Sequence, residues 1–488
     1  MSDNVLNLNR TARIRHPRYD LTDRPFLVIW EITQACDLAC LHCRASAQPR
    51  RHPKELTTEQ GFDLLDQVAD FGKPRPLLVL SGGDPFKRED LFDLVHHAAD
   101  LSLPVSVSPS ATPSLNKANL QRLHDAGAVA ISLSLDGATA NTHDTFRGTE
   151  GSFETTVRGI ELARSVGLRF QLNTTVTPYN LHELADLCLI AKYADAMTWS
   201  VFFLVPTGRG AGLDQLTSQD FEDVLNFLYD AAKIVSLKTT EAPHYRRVVL
   251  QRQILEHHGV SHTEALGLGN TYRMLSDRLA LLTSASEEAR VSEAFNGLLG
   301  RMTPIDRYET VRGMELHEPL EDSSSPSSSD DRTVRWDSSN TGKHPSGPHS
   351  SNPIGGSISS EDQPSSTARV VKRSPLAINA GNGFVFVSHL GEVFPSGFLP
   401  VPAGNVIEQP LADIYRNSPL FCRLRDPDAL AGKCGRCEFR YICGGSRSRA
   451  YGSSGDPMGE EKWCSYRPGT FLYPEELDEL VSAPSSRL

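Results

Sequence analysis

The sequence has no apolar run approaching the roughly 18 or more residues that a membrane-spanning helix needs, and its N-terminus lacks the apolar core of a secretory signal. It lacks a basic excess as well. The 49 lysines and arginines face 60 aspartates and glutamates, and the net charge of -11 repels a phosphate backbone. No membrane and no nucleic-acid partner is therefore expected, and the chain reads as soluble and cytoplasmic. Arg10, Arg13, Arg15, Arg18 and Arg24 keep organellar import as the lesser alternative, because Asp3, Asp20 and Asp23 interrupt them and serine is scarce there. Cysteine is sparse, with nine in 488 residues, but most of it is clustered. In a reducing compartment such clusters bind metal or do chemistry and do not form disulfides.

What is present is an alternation. Between residues 26 and 206, short β-branched runs at 26–32, 77–81, 104–108, 128–136, 168–176 and 198–205 alternate with amphipathic stretches of helical period. This predicts an α/β fold of six parallel strands, either an open doubly wound sheet or a partly closed barrel. Both place a site at the carboxyl ends of the strands. The first helix is signalled by a Thr57/Gln60 capping box, by Phe62, Leu65, Val68 and Ala69 on one face, and by Gly72 as its stop. The segments read as an N-terminal extension (1–24), the α/β core (25–235), a helical bridge (236–320), an insertion (321–370), a cysteine-rich domain (371–475) and a tail (476–488). The insertion is rich in Ser, Pro and Gly and too poor in large apolar side chains to offset its ordering entropy, so disorder is expected there. A hairpin with Leu390 and Gly391 in its turn opens the cysteine-rich domain.

Cys188, inside the helical LADLCLIAKY, reads as a small buried hydrophobe. The cysteines of EITQACDLACLHC differ, because Cys36, Cys40 and Cys43 follow the first strand directly. A structural zinc closes on four ligands, and His42 is too near Cys43 in sequence to share one ion with it easily. Three thiolates can instead hold three irons of a 4Fe-4S cube and leave the fourth iron open. A second group, Cys434, Cys437, Cys443 and Cys464, offers four thiolates, and its spacing suits either zinc or a closed cube.

C-x3-C-x2-C after the first strand of a βα series resembles the radical S-adenosylmethionine (radical SAM) superfamily. The resemblance implies a partial (β/α)6 TIM-type barrel and an oxidoreductase. In such enzymes the open iron chelates the amino and carboxylate groups of S-adenosylmethionine, and one electron cleaves the sulfonium to a 5'-deoxyadenosyl radical. It makes Cys36, Cys40 and Cys43 catalytic and puts His42 near the adenine. SGGDP at 81–85 is similar to the family's GGEP motif, with Asp84 in place of Glu, and implies that Gly82 and Gly83 meet the cofactor's amino group. Ser134 and Asn173 are implied at the ribose and carboxylate, and Val205, followed by PTGRG, at the adenine edge. Arg147, in HDTFRG, would hold the carboxylate or pair with nearby acids.

The C-terminal end resembles the SPASM auxiliary-cluster domain, which implies a second 4Fe-4S cluster saturated by Cys434, Cys437, Cys443 and Cys464. Ser396, in GEVFPSG, stands where relatives carry a ligand cysteine for a further cluster, and Cys422 alone cannot replace it, so one auxiliary cluster is expected. CEFRYICGGSRSRAY, with SGGDP and CLHC, looks most like the branch acting in haem d1 and alternative haem biosynthesis. This implies a tetrapyrrole side chain as substrate, with Arg440, Arg447 and Arg449 meeting propionates or else pairing with local acids. Flavodoxin or ferredoxin is the implied electron donor. A peptide substrate is the alternative within the class, and a non-catalytic, zinc-stabilised binding protein is the alternative outside it.

Overall fold

Six strands form where the apolar runs lie: β1 (Leu27–Thr33), β2 (Leu77–Gly82), β3 (Val105–Val107), β4 (Ala130–Ser134), β5 (Arg169–Val176) and β6 (Thr198–Phe203). The computed structural model describes residues 19–298 and 378–477, so the expected insertion at 321–370 and most of the N-terminal extension lie outside the described residues. The six strands pair in parallel, each with the next in sequence. Helices α1 (Thr58–Ala69), α2 (Leu91–Asp100), α3 (Lys117–Asp125), α4 (Ala140–Arg147), α5 (Ser152–Ser165) and α6 (Leu184–Tyr193) run between them. The capping box starts α1 as read, with both reciprocal bonds made, and Leu64, Leu65, Val68 and Ala69 are buried on its inner face. Strand β5 shows the division of labour: Phe170, Leu172 and Val176 join the core, while Gln171, Asn173 and Thr175 stay half-buried on the other face.

The sheet extends past those six strands at both edges. The segment from 236 was expected to be a helical bridge, but it opens with β7 (Leu237–Thr240), which pairs in parallel with β6. LKTT is too short to display a period of two, which is why the sequence hides it. The expected helices follow as α7 (Ser218–Ala231), α8 (His244–His257), α9 (His262–Ala265), α10 (Asn270–Leu282) and α11 (Ala285–Leu298), the first of them ahead of β7. At the other edge the expected hairpin forms as β8 (Phe384–Val387) and β9 (Glu392–Phe394). It does not stand apart from the barrel: β8 pairs in parallel with β1, from Leu27↔Phe384 to Trp30↔Val387, and the short β10 (Gly404–Asn405) completes a ten-stranded sheet. The apolar FVFV run thereby covers the open edge of β1, which would otherwise expose unpaired backbone groups. Helices α12 (Leu411–Asn417), α13 (Pro419–Leu424), α14 (Gly432–Arg436) and α15 (Arg447–Ser454) close the C-terminal part. Among the described residues no helix is long and apolar enough to cross a membrane.

Candidate functional site

The loop leaving β1 carries Cys36, Cys40 and Cys43, and backbone bonds from three directions fix it. Cys36 N donates to Gln48 O at 2.8 Å, Leu41 N to Phe146 O at 3.0 Å, and Arg209 N to Cys43 O at 3.0 Å. Arg209 Nε also donates to Cys40 O at 2.8 Å, so PTGRG after β6 clasps the cysteine loop. Each thiol faces a donor: Leu38 N lies 3.4 Å from Cys36 Sγ, Ala47 N 3.5 Å from Cys43 Sγ, and Arg147 Nη1 3.6 Å from Cys40 Sγ. Burial pushes the Cys36 thiol up despite bonds from Ser110 and Leu38. Two buried thiols and a half-buried third on one loop, each with a donor at hand, suit a cationic occupant that keeps them as thiolates.

SGGDP sits against this loop at the end of β2. Gly83 N donates to Thr33 O at 2.8 Å, and Asp84 N to Ala35 O. A Cβ on Gly83 would stand 2.3 Å from Ala35 O, so only glycine permits the approach. A Cβ on Gly82 would stand 2.5 Å from Thr33 O. Gly83→Ala is therefore expected to displace Ala35 and its neighbour Cys36, at roughly 1–3 kcal/mol, as overpacking costs elsewhere. Thermal melts and iron retained after reconstitution would register it, and an unchanged melt with full iron would contradict it. Asp84 is fully buried and points inward, accepting from Thr112 Oγ1 at 2.7 Å and Phe86 N at 3.2 Å. Burial raises its pKa, with those bonds opposing. Asp84 thus holds the turn in place by its side chain.

Ser134 and Asn173 are register partners on β4 and β5, and Gln171 Nε2 donates to Asn173 Oδ1 at 2.6 Å. Val205 is buried just before the clasp. The His42 ring stacks on Phe146 at 4.4 Å and 6°. Arg147 forms an ion pair with Asp136 at 2.5 Å. Burial pushes the Asp136 carboxyl up, but Arg147 and then His42 more than offset it and hold it below the usual range. Burial lowers His42 to about 4, against the pull of Asp136. His42 Nδ1, Arg147 Nε and Arg209 Nη2 are buried without a hydrogen-bond partner. Asp136, Ser110 and Arg209 are the site residues that sequence reasoning did not single out. The available signal was position, since Asp136 and Ser110 both follow strand ends.

The second group is assembled as well: Cys434, Cys437, Cys443 and Cys464 line one cavity with His244, Arg247 and Tyr466. Gly445 N donates to Cys443 Sγ at 3.3 Å, and Glu461 N and Arg447 Nη2 to Cys434 Sγ at 3.4 and 3.6 Å. Gly445 takes a left-handed φ of 63°, and a Cβ there would meet Arg447 Nη2 at 2.6 Å and Cys434 Sγ at 3.2 Å. Burial pushes Cys437 up to about 12 and Cys443 further. Among the described residues no three His, Cys, Asp or Glu side chains close around one point as a single ion requires. Of the two readings of the arginines, pairing with local acids is the one found for Arg440 and Arg449, and the buried Arg447 and Arg449 are spent on partners within the protein. Arg447 and Arg449 are buried, Arg447 donating to Pro457 O and Gly459 O and Arg449 to Leu204 O and Glu461. Arg440 pairs with Asp428. Ser396 donates to Glu241 at 2.9 Å, and Ser446 and Ser448 donate to the same carboxylate at 2.6 and 3.1 Å, so hydroxyls tie the hairpin down where a thiol was absent. Cys188 is buried in α6, and Cys422 is exposed.

A parallel partial barrel with three thiols at the mouth of its first strand defines a class of enzyme. The model of the radical SAM superfamily matches residues 30–190. The AdoMet-dependent heme synthase of Methanosarcina barkeri is 34% identical over 451 residues, 92% of this chain and 99% of its own length. The chain belongs to the radical SAM superfamily and is an enzyme, and that membership brings a 4Fe-4S cluster and AdoMet as cofactors. The pre-heme d1 synthase of Dinoroseobacter shibae is 24% identical over 95% of this chain and 91% of its own. The mycofactocin maturase of Mycobacterium ulcerans is 35% identical, over only 39% of this chain and 50% of its own. Among solved structures, SuiB of Streptococcus suis bound to precursor peptide SuiA matches with a TM-score of 0.53 at 12% identity, covering 91% of this chain and 76% of that one. The enzyme anSMEcpe with bound AdoMet matches at 0.52 and 14%, covering 93% and 96%. At such identities these two structures speak for the fold.

Proposed function

We propose that the chain is a radical SAM oxidoreductase that modifies a side chain of a haem-type tetrapyrrole. Cys36, Cys40 and Cys43 hold the AdoMet-binding 4Fe-4S cluster, and Cys434, Cys437, Cys443 and Cys464 hold a second one. When bound, the first cluster and AdoMet supply a one-electron reductive cleavage whose radical product abstracts hydrogen from the substrate. The chain's own residues bind, orient and exclude water. Gly82 and Gly83 present backbone to the cofactor's amino group, and Asp84 fixes their turn. Ser134, Asn173, Val205 and His42 face the remainder of AdoMet. Arg147, neutralised by Asp136, and Arg209 keep the cysteine loop in place and positively biased, which favours an anionic cluster. A flavodoxin or ferredoxin supplies the electron.

One observation carries the substrate class. Likeness to the heme synthase runs over 92% of the chain and so spans both cysteine groups, whereas likeness to the mycofactocin maturase stops at 39%. The test is anaerobic incubation of reduced, reconstituted enzyme with AdoMet and an iron tetrapyrrole bearing propionates, followed by mass spectrometry. A mass loss in the tetrapyrrole matched by 5'-deoxyadenosine supports the reading. Deoxyadenosine formed with an unchanged tetrapyrrole, alongside a mass change in a co-encoded peptide, would move the substrate to the peptide class.

A further inference from the structure

We propose that His244 is a hydrogen-bond donor to the second cluster and sets its reduction potential. The inference rests on the reading that Cys434, Cys437, Cys443 and Cys464 hold a 4Fe-4S cube. His244 opens α8, only four residues after β7 ends, and its side chain is 1% exposed. Its ring lines the same cavity as the four thiols. Both ring nitrogens are buried, and neither has a hydrogen-bond partner in the protein. Most other polar groups around the cavity are engaged: Arg247 forks onto Glu222 at 2.8 and 2.6 Å, leaving only its Nε buried without a partner, Lys433 donates to Cys464 O, and Arg440 pairs with Asp428.

The ring is held in one orientation by Phe221, edge to face at 5.0 Å and 82°. Neutral or charged, an imidazole carries at least one N–H, and leaving that donor buried and unmet costs the desolvation of the group. The charges that weigh most on the ring, Arg247, Arg449, Arg447 and Lys433, are all cations and offer no acceptor, and the carboxylates nearby, Glu222 and Glu461, are paired with Arg247 and Arg449. Burial, and then those same cations, keep the ring's pKa well below the ordinary value. Among the groups that line the cavity with the ring, the acceptors left are the sulfurs, thiolate or cluster sulfide, both anionic. A bond from N–H to sulfur strengthens as the cluster gains an electron, so it stabilises the reduced form and raises the potential. His244 thus acts through the cluster as a tuning residue and touches no substrate.

The test uses the full chain carrying Cys40→Ala, so that only the second cluster reports. Potentiometric titration with dithionite, followed by electron paramagnetic resonance, is run on this parent and on His244→Phe and His244→Gln versions of it. Phe keeps the ring contact without the donor, and Gln keeps a donor. His244→Phe is expected to shift the one-electron equilibrium about tenfold towards the oxidised form, about 59 mV to lower potential, with His244→Gln staying near the parent. Equal potentials for the parent and His244→Phe, at equal iron content, would overturn the inference. If His244→Phe loses its cluster, pulsed resonance on the parent with isotope-labelled histidine decides. A nitrogen coupling to the reduced cluster supports the bond, and its absence overturns it. Parent protein holding zinc or no iron at all would instead sink the cluster assignment itself, and this inference with it.

Discussion

Cys40→Ala is expected to reduce 5'-deoxyadenosine formation to background, a loss of at least about a thousandfold, while the second cluster survives. Iron should fall from about eight to about four atoms per chain. The substitution disturbs little else. Cys40 is 8% exposed and its thiol is small, and the ties of the loop run through backbone that alanine retains. Cys43 N still donates to Cys40 O at 3.2 Å, and Arg209 Nε still reaches the same oxygen. What disappears is one of three thiolates, together with the acceptor for Arg147 Nη1. Two thiolates hold too few irons to keep a cube whose remaining iron is open to AdoMet, so reductive cleavage has no electron donor. Iron assay, visible absorption and a deoxyadenosine assay on the same sample check all parts of the expectation together. Cleavage persisting above background would refute the assignment of these three residues.

The sequence made the cysteines legible because a ligand set is written in spacing, and C-x3-C-x2-C needs no third dimension to be noticed. The six barrel strands are legible for a similar reason: buried parallel strands are runs of β-branched residues, and the runs match the strands to within one residue at each end, except at both ends of β4 and the end of β6, where they differ by two. Other features depend on contacts distant in sequence. Nothing in FVFV says that it pairs with LVIW, and β7 is too short to carry a pattern. Arg447 and Arg449 illustrate the opposite error. Their forks suit carboxylates, so propionates were a natural partner, but both side chains are buried and directed largely at main-chain carbonyls. A polar residue's role follows its burial, and burial is not written in residue type. His244 is the same lesson in reverse, for a histidine beside two arginines gave no sign that it faces four thiols.

Asp136→Ala is expected to destabilise the reconstituted enzyme by about 3–5 kcal/mol, the usual cost of removing one partner from a buried ion pair. Asp136 is fully buried, and the partner it leaves behind, Arg147, has a side chain only 12% exposed. The carboxylate also accepts from Thr175 N at 2.6 Å, so β5 loses a bond where it meets β4. Replacing both residues, as Asp136→Ala with Arg147→Leu, should recover much of the loss, since no uncompensated charge then stays buried. The pH dependence follows from the direction of the shift. The folded-state pKa of Asp136 lies below its unfolded value near about 3.9, because Arg147 and His42 outweigh burial. Its contribution is therefore complete above that unfolded value and is lost as pH falls through the lower folded one. Thermal melts of wild type and Asp136→Ala should stand well apart at neutral pH and converge in acid. Parallel curves across that range would mean that the pair does not stabilise the fold, and Arg147 would then be free to meet a ligand's carboxylate instead.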